Sequence, residues 1–174
     1  MCLFFDGIRT DDDMKTDTPK KRSQLTLRSM FMHMMENGYE PEFEDSHIQF
    51  GIGEDTAVIE HREGILSVRL FYSIDEEEYE LFLEASNMTM LRTYSVKVVV
   101  LEDMTDLMFS WESACENIRD FKRILPIAVT RLKEAIRIHK EEMKKLIFAS
   151  GVAAATIPAA DISMAGIGKR KIVS

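Results

Sequence analysis

The stretch LSVRLFYSI, residues 66–74, decides how the rest of the chain is interpreted. Apolar and polar side chains alternate along it, which is the period-two pattern of a β-strand. Asp75 ends the alternation, and the three glutamates that follow are typical of the acidic start of a helix, which Asp75 and Glu78 are expected to cap. The strand pattern then returns twice, in YSVKVVVL (94–101) and LMFSW (107–111). The segment therefore predicts a strand, a helix and a strand hairpin in succession.

Three further strands or helices are predicted upstream of this segment. Residues 23–38 have one apolar stripe at helical spacing, and Gly38 suits the left-handed position just past a helix end. Alternation in 48–52 and 57–61 predicts two strands, with turns at residues 53–55 and at Glu63-Gly64. Residues 39–45 contain a proline, so they are either a lead-in or an edge strand.

A long helix is predicted from Asn117 onward, because apolar residues recur there at three- and four-residue spacing. Pro126 lies inside this stripe and is expected to kink or restart the helix. The predicted fold is α+β: one five-stranded antiparallel sheet covered on one face by helices, in the order α-β-β-β-α-β-β-α. The predicted boundaries are a flexible segment at 1–22, a domain at 23–148 and a small-residue tail at 149–174.

The charges are unevenly distributed along a chain whose net charge is −8. Residues 39–118 carry 19 acidic and 4 basic side chains, whereas residues 119–145 carry 9 basic and 4 acidic ones. A strongly acidic middle argues against nucleic acid as the main partner, because it would repel phosphates. Cys2 and Cys115 are too few for a disulfide framework, and the first ten residues lack the pattern of a signal peptide, so a reducing, cytoplasmic location is expected.

The segments LEASNMTMLRTYSVKVVVLED (83–103) and LMFSWES (107–113), with the closing helix, resemble two families. These are the type III secretion chaperones and the bacterial YbjN-type sensory-transduction regulators. The likeness covers residues 24–145, with Asn87 in the place where such proteins have an asparagine before the hairpin. It implies a dimeric, non-enzymatic protein that binds other proteins or supports regulation. It carries no catalytic motif and no cofactor.

Two sets of apolar residues are candidates for binding a partner. A methionine stripe could accept varied apolar partners, but the preferred interpretation is that Met30, Met34 and Met35 pack on the sheet, with Met32 incidental. The second set alternates out of register with the core-facing residues of the strands: Phe71, Val99 and Leu101. The face that carries them is expected to be covered by a second copy in a homodimer or by the chain's own tail, with a protein client as the alternative.

Catalytic chemistry is the competing interpretation, centred on Cys115 or on the acids at Glu76. No basic residue lies within three positions of Cys115, and Glu112 and Glu116 would raise the pKa of its thiol. The four histidines show no metal-binding spacing, and His139 fits a core or interface position. The sequence therefore predicts no catalytic, metal or cofactor site.

The tail is the most ambiguous segment, because lysines and arginines bracket 23 residues whose only charge is Asp161. That length could span a bilayer, but Pro158 and Asp161 argue against a membrane helix. The preferred interpretation is a helix that continues to about Thr156, followed by an extended segment that packs on a neighbour.

Overall fold

Alternating apolar residues and tight turns form a six-stranded antiparallel sheet in the computed structural model, which describes residues 25–44, 46–102 and 105–149. The three α-helices are α1 (Leu27–Glu36), α2 (Tyr79–Arg92) and α3 (Ile118–Ala149). The strands are β1 (Glu42–Glu44), β2 (His47–Ile52), β3 (Asp55–Arg62), β4 (Ile65–Ser73), β5 (Val96–Val100) and β6 (Asp106–Ala114).

The strand order in the sheet is β1-β2-β3-β4-β6-β5. Strands β1 to β4 are a meander, α2 crosses from β4 to β5, and β6 returns to lie between them. The prediction of an antiparallel α+β fold is confirmed, but the sheet has six strands and not the predicted five. The extra strand is β1, which pairs with β2 at the edge, so the proline-containing segment is an edge strand rather than a lead-in.

The predicted turns between β2, β3 and β4 are confirmed. Gly53 has φ 72° where β2 turns into β3, and Glu63 and Gly64 have φ 53° and 80° between β3 and β4. Two consecutive residues with positive φ match the right-handed twist of the flanking strands. The turn at Glu63-Gly64 therefore sets the register that pairs Arg62 with Ile65.

All three helices lie on one face of the sheet, as predicted. The core-facing side chains of the central strand β4 are Leu66, Val68, Leu70 and Tyr72, and α3 covers them with fully buried residues that include Phe121, Leu125 and Leu132. Burying this apolar surface is the main source of stability for such a domain.

Two helix starts differ from the prediction. Helix α1 begins at Leu27 rather than Ser23, because Thr26 caps it: its Oγ1 accepts from the Ser29 N–H at 3.1 Å. Gly38 ends α1 with φ 76°, as expected. The glutamates 76–78 form a turn of 3-10 helix and α2 begins at Tyr79, and the predicted capping by Glu78 is wrong because it makes no side-chain cap.

Helix α3 is continuous through Pro126, so the predicted restart does not occur. Asn117 caps its start, where Oδ1 accepts from the N–H groups of Arg119 and Asp120 at 3.0 and 3.1 Å. The apolar stripe that predicted α3 is buried along most of its length against the sheet and α2.

Only part of the apolar stripe predicted for α2 packs inward, since Tyr79 is half-buried and Phe82 lies against the core. Leu83 and Met90 are exposed, whereas Ala85, Ser86 and Thr89 are buried between α2 and the rest of the domain. Small side chains on the buried side let α2 lie close to α3, and this packing overrides the simple expectation that the largest apolar residues face inward.

The predicted segment 1–22 lies outside the described residues, and so does the predicted tail 149–174 apart from Ala149, which ends α3. Among the residues that are described, no helix combines the length and the apolar character needed to cross a membrane.

Candidate protein-binding face

The side of the sheet opposite the helices is called the open face here, and it is the candidate site. One apolar row crosses it, because Phe71 of β4 pairs with Met108 of β6, which pairs with Val99 of β5. Phe71 is 36% exposed and Val99 is 39% exposed. Leu101 continues the same face just past β5 and is half-buried. The structure thus brings together three of the predicted partner-binding residues.

A charged row lies beside the apolar row. Arg69 Nη1 contacts Glu60 Oε2 at 2.9 Å, and its Nη2 lies 3.9 Å from Glu112 Oε1. Lys97 Nζ donates to Glu112 Oε2 at 2.7 Å. That hydrogen bond is the largest cause of the lowered pKa of Glu112, with smaller contributions from Ser110 and Arg69. Four side chains from four strands are therefore held in one ion-pair network.

Buried polar groups lie beneath this network. Ser67 and Ser110 project onto the open face, yet both are almost fully buried under the neighbouring side chains. Within the described part of the chain, Ser67 Oγ and Arg69 Nε have no hydrogen-bond partner. A recess of about 320 Å³ lies at β5 and β6, lined by Ser95, Val96, Lys97, Ser110 and Glu112.

The methionine candidates do not join this site. Met30 and Met34 are fully buried in the core, on the helical side of the sheet, which agrees with the core interpretation of that stripe. Met35 is 54% exposed, so the expectation that it packs on the sheet is wrong. The four-residue step from Met30 to Met34 keeps both on one side of α1, whereas Met35 is turned by a further 100° toward solvent.

Cys115 is buried and lies with its Sγ 3.9 Å from the Asn117 carbonyl oxygen. Burial is the main cause that raises the pKa of its thiol to about 11, and Asp120 adds to the shift while Arg123 opposes it. The predicted direction holds, but the expected cause does not: Glu112 lies on the open face with Lys97, not beside the thiol. A thiol in this setting is a poor nucleophile near neutral pH.

In a Cys2→Ser variant, Cys115 is the single thiol of the chain, and its alkylation rate can be measured by mass spectrometry. Because of its burial and raised pKa, we expect the native protein to react at least about 100-fold more slowly at pH 8 than the unfolded chain. Equal rates in the native and the unfolded protein would contradict this placement of Cys115.

Within the residues that it describes, the structure also gives no sign of chemistry at the other candidates, which are His139 and groups of possible metal ligands. His139 is buried between α2 and the sheet, with its ring 5.9 Å from that of Phe82 and 5.4 Å from that of Phe109. Burial lowers its pKa to about 4, so it is a core histidine, as predicted. In the ranges 25–44, 46–102 and 105–149, no three acidic, histidine or cysteine side chains converge in a way that could hold a metal ion.

Sequence reasoning placed Phe71, Val99 and Leu101 on this face but missed Arg69, Met108 and the ion-pair network. Arg69 could have been assigned to this face from the sequence, because it lies two residues before Phe71 and side chains two apart on a strand share a face. The pairing of β4 with β6 was not apparent from the alternation, so Met108 and Glu112 were not placed beside these residues.

An antiparallel sheet with helices on one face and an open second face defines the class of this domain. No protein-family model matches the chain, and no curated protein matches it in sequence. Solved structures resemble it: YbjN of E. coli, a proposed transcription regulator, has a TM-score of 0.56 at 9% identity over 71% of this chain and 96% of YbjN. An uncharacterised protein from Methanothermobacter thermautotrophicus has a TM-score of 0.45 at 13% identity, over 71% of this chain and 99% of its own.

The YbjN-like fold expected from the resemblance is confirmed by the first of these structures. At 9% identity the likeness shows a shared fold and nothing finer. Asn87 lies exposed in the middle of α2, five residues before Arg92 ends the helix.

Proposed function

We propose that this chain is a non-enzymatic protein-binding or regulatory module of the secretion-chaperone-like type, acting as a homodimer. The observation that carries the proposal is the open face, where the apolar row Phe71–Met108–Val99 lies next to an ion-pair network. A protein interface has the same anatomy, with an apolar centre and a polar rim that contains arginine.

The charges of the open face favour a protein over a nucleic acid. Arg69 and Lys97 are both paired with glutamates, so neither offers a free positive charge to a phosphate. The proposed occupant is a segment of a client protein, and the chain's own residues 150–174 are the alternative.

The competing function is a small cytosolic enzyme that acts through Cys115 or the acids at Glu76. Burial and a pKa of about 11 make Cys115 unsuitable as a nucleophile without further activation. Glu77 and Glu78 are exposed on the 3-10 turn, where the acidic helix start explains them. The open face therefore supports binding better than either group supports catalysis.

The variant Phe71→Asp/Met108→Asp tests this function. It places two carboxylates in the apolar row, and we expect immobilised protein to lose most of the proteins that the wild type retains from its native cells. Each desolvated charge at the centre of an interface costs several kcal/mol, which is a loss of at least about 100-fold in affinity. The measurement is quantitative mass spectrometry of the retained proteins.

Ile127→Asp is the matched control, because Ile127 is also an exposed apolar residue but lies on α3, away from the open face. Its retained proteins should equal those of the wild type. A chain ending at Ala149 should retain more if residues 150–174 compete for the face. Retention of the same proteins by the Asp pair and the wild type would contradict the proposal.

A further inference from the structure

Strand β5 is an edge of the sheet whose outward backbone groups can be identified. Leu101 N–H donates to the Asp106 carbonyl at 2.8 Å, and the two residues continue the β5–β6 register. Hydrogen-bonded pairs alternate along antiparallel strands. The N–H and C=O groups of Val96, Val98 and Val100 therefore face away from β6, and within the described residues no strand pairs with them.

The two edges of the sheet differ in how they discourage pairing. Strand β1 is three residues long and carries Glu42 and Glu44, so a second copy aligned with it would bring carboxylates together. Strand β5 has four valines and a single charge, at Lys97. Short, charged edges resist pairing with another chain, whereas apolar ones favour it. Of these two edges, β5 is the one suited to receive another strand.

We propose that two copies of this chain pair antiparallel through β5, with the two-fold axis at Val98, so that one sheet continues across the dimer. This inference rests on the homodimer of the proposed function and names its interface. In that register Val98 lies opposite Val98 and Val96 lies opposite Val100. Lys97 lies opposite Val99 of the second copy, so no like charges meet across the axis.

The segment just before β5 extends the same surface. Leu91 and Tyr94 are three residues apart at the end of α2, and they are 81% and 79% exposed. Beside an unpaired edge, these side chains add apolar surface that a second copy can cover. Because the axis lies at Val98, Tyr94 of one copy lies opposite residue 102 of the second copy, so these side chains extend the interface beyond the paired strands and do not meet their own counterparts.

Val100→Pro removes an outward N–H that β6 does not use, so it leaves the β5–β6 ladder intact. We expect it to weaken dimerisation by about tenfold to a hundredfold, because each dimer loses two main-chain hydrogen bonds. Val100→Ala is the matched control, since it shortens the same side chain but keeps the N–H. Sedimentation equilibrium measures both against the wild type, with circular dichroism to verify folding.

Two charge substitutions at Val99 test the strand register of the dimer without the use of a proline variant. Val99→Lys brings lysines at 97 and 99 of the two copies together and should dissociate the dimer, whereas Val99→Glu faces Lys97 of the second copy and should keep it. A wild type that sediments at 20.0 kDa at micromolar concentration, or equal effects of the two substitutions, would overturn the edge pairing. Retention of client proteins through Phe71 is measured separately, so a monomer that binds clients would overturn the homodimer and its interface but not client binding by the open face.

Discussion

Lowering the pH from 7 to 5 is expected to remove about 2 kcal/mol of folding stability through His139 alone. Burial is the main cause that holds its pKa at about 4 in the folded protein, against an ordinary value of 6.5, and a hydrogen bond with the Phe82 backbone opposes the shift. Ser86 Oγ lies 3.4 Å from its Nε2. The apolar site therefore accommodates the neutral imidazole ring of His139 better than the charged imidazolium.

The direction follows from the two pKa values. Between pH 6.5 and about 4 the unfolded chain binds a proton at His139 that the folded chain does not. Stability from this group is therefore complete above pH 6.5 and falls as the pH drops, reaching a total loss of about 3 kcal/mol near pH 4. Denaturant unfolding at pH 7, 6 and 5 gives the slope.

His139→Leu should flatten this slope while keeping the site apolar. His33→Gln is the control: the pKa of His33 is also lowered by partial burial and by Lys122, but His33 is only half-buried, so its removal should change the slope less than the removal of His139. An unchanged slope in His139→Leu would show that His139 is not the group that titrates.

Replacing Phe109 with alanine is expected to cost roughly 3–5 kcal/mol, a large part of the stability of a domain of this size. Phe109 is fully buried on β6, with its ring 5.6 Å from that of Tyr72 and 5.4 Å from that of His139. The cavity removes packing from both neighbours. It also admits water toward His139, so the pH dependence of stability should become shallower in the same variant.

Phe71→Ala is the matched control for Phe109→Ala, because both phenylalanines lie on central strands but on opposite faces of the sheet. Phe71 is partly exposed, and we expect its removal to cost about 1 kcal/mol or less. Free energies of unfolding from urea titrations compare the two. Equal losses would mean that the open face is as well packed as the core, which contradicts the assignment of faces.

The strands were predictable because their signals are local. Alternation in LSVRLFYSI (66–74) gives both the strand β4 and the face on which Leu70 and Phe71 lie, and Glu63-Gly64 gives the turn that precedes it. The short strand β1 was left open, since three residues beside a proline carry too little pattern to distinguish an edge strand from a loop.

The helix α2 was the least predictable element. Its buried side is decided by how closely it packs on α3, which favours small side chains there and leaves no local signal in the sequence. Ala85, Ser86 and Thr89 pack inward, and Leu91 is left in solvent. The hydroxyls of Ser86 and Thr89 donate to the carbonyls of Phe82 and Ala85 at 2.7 Å, so burying them leaves no unmet hydrogen bond. Apolar periodicity alone assigns Leu83 and Met90 to the core, which is wrong.

Part of the open face could be predicted from the alternation of side chains within single strands, and part could not. Phe71 and Val99 could be assigned to the second face from alternation within their own strands. The β5–β6 hairpin that pairs Val99 with Met108 was predicted, but the pairing of β6 with β4, which brings Phe71 into the same row, spans a helical crossover and has no local signal. The ion pair of Arg69 with Glu112 depends on the same long-range pairing, whereas its ion pair with Glu60 follows from the β3–β4 hairpin.

The most direct test of the open face as a protein-binding surface is site-specific photo-crosslinking in the native cells. A photoreactive amino acid at position 108 lies in the centre of the apolar row, and one at position 127 on α3 is the control. We expect irradiation to give a discrete adduct between position 108 and a protein other than a second copy of this chain, and none from position 127. No such adduct from position 108, or the same adducts from both positions, would contradict the account.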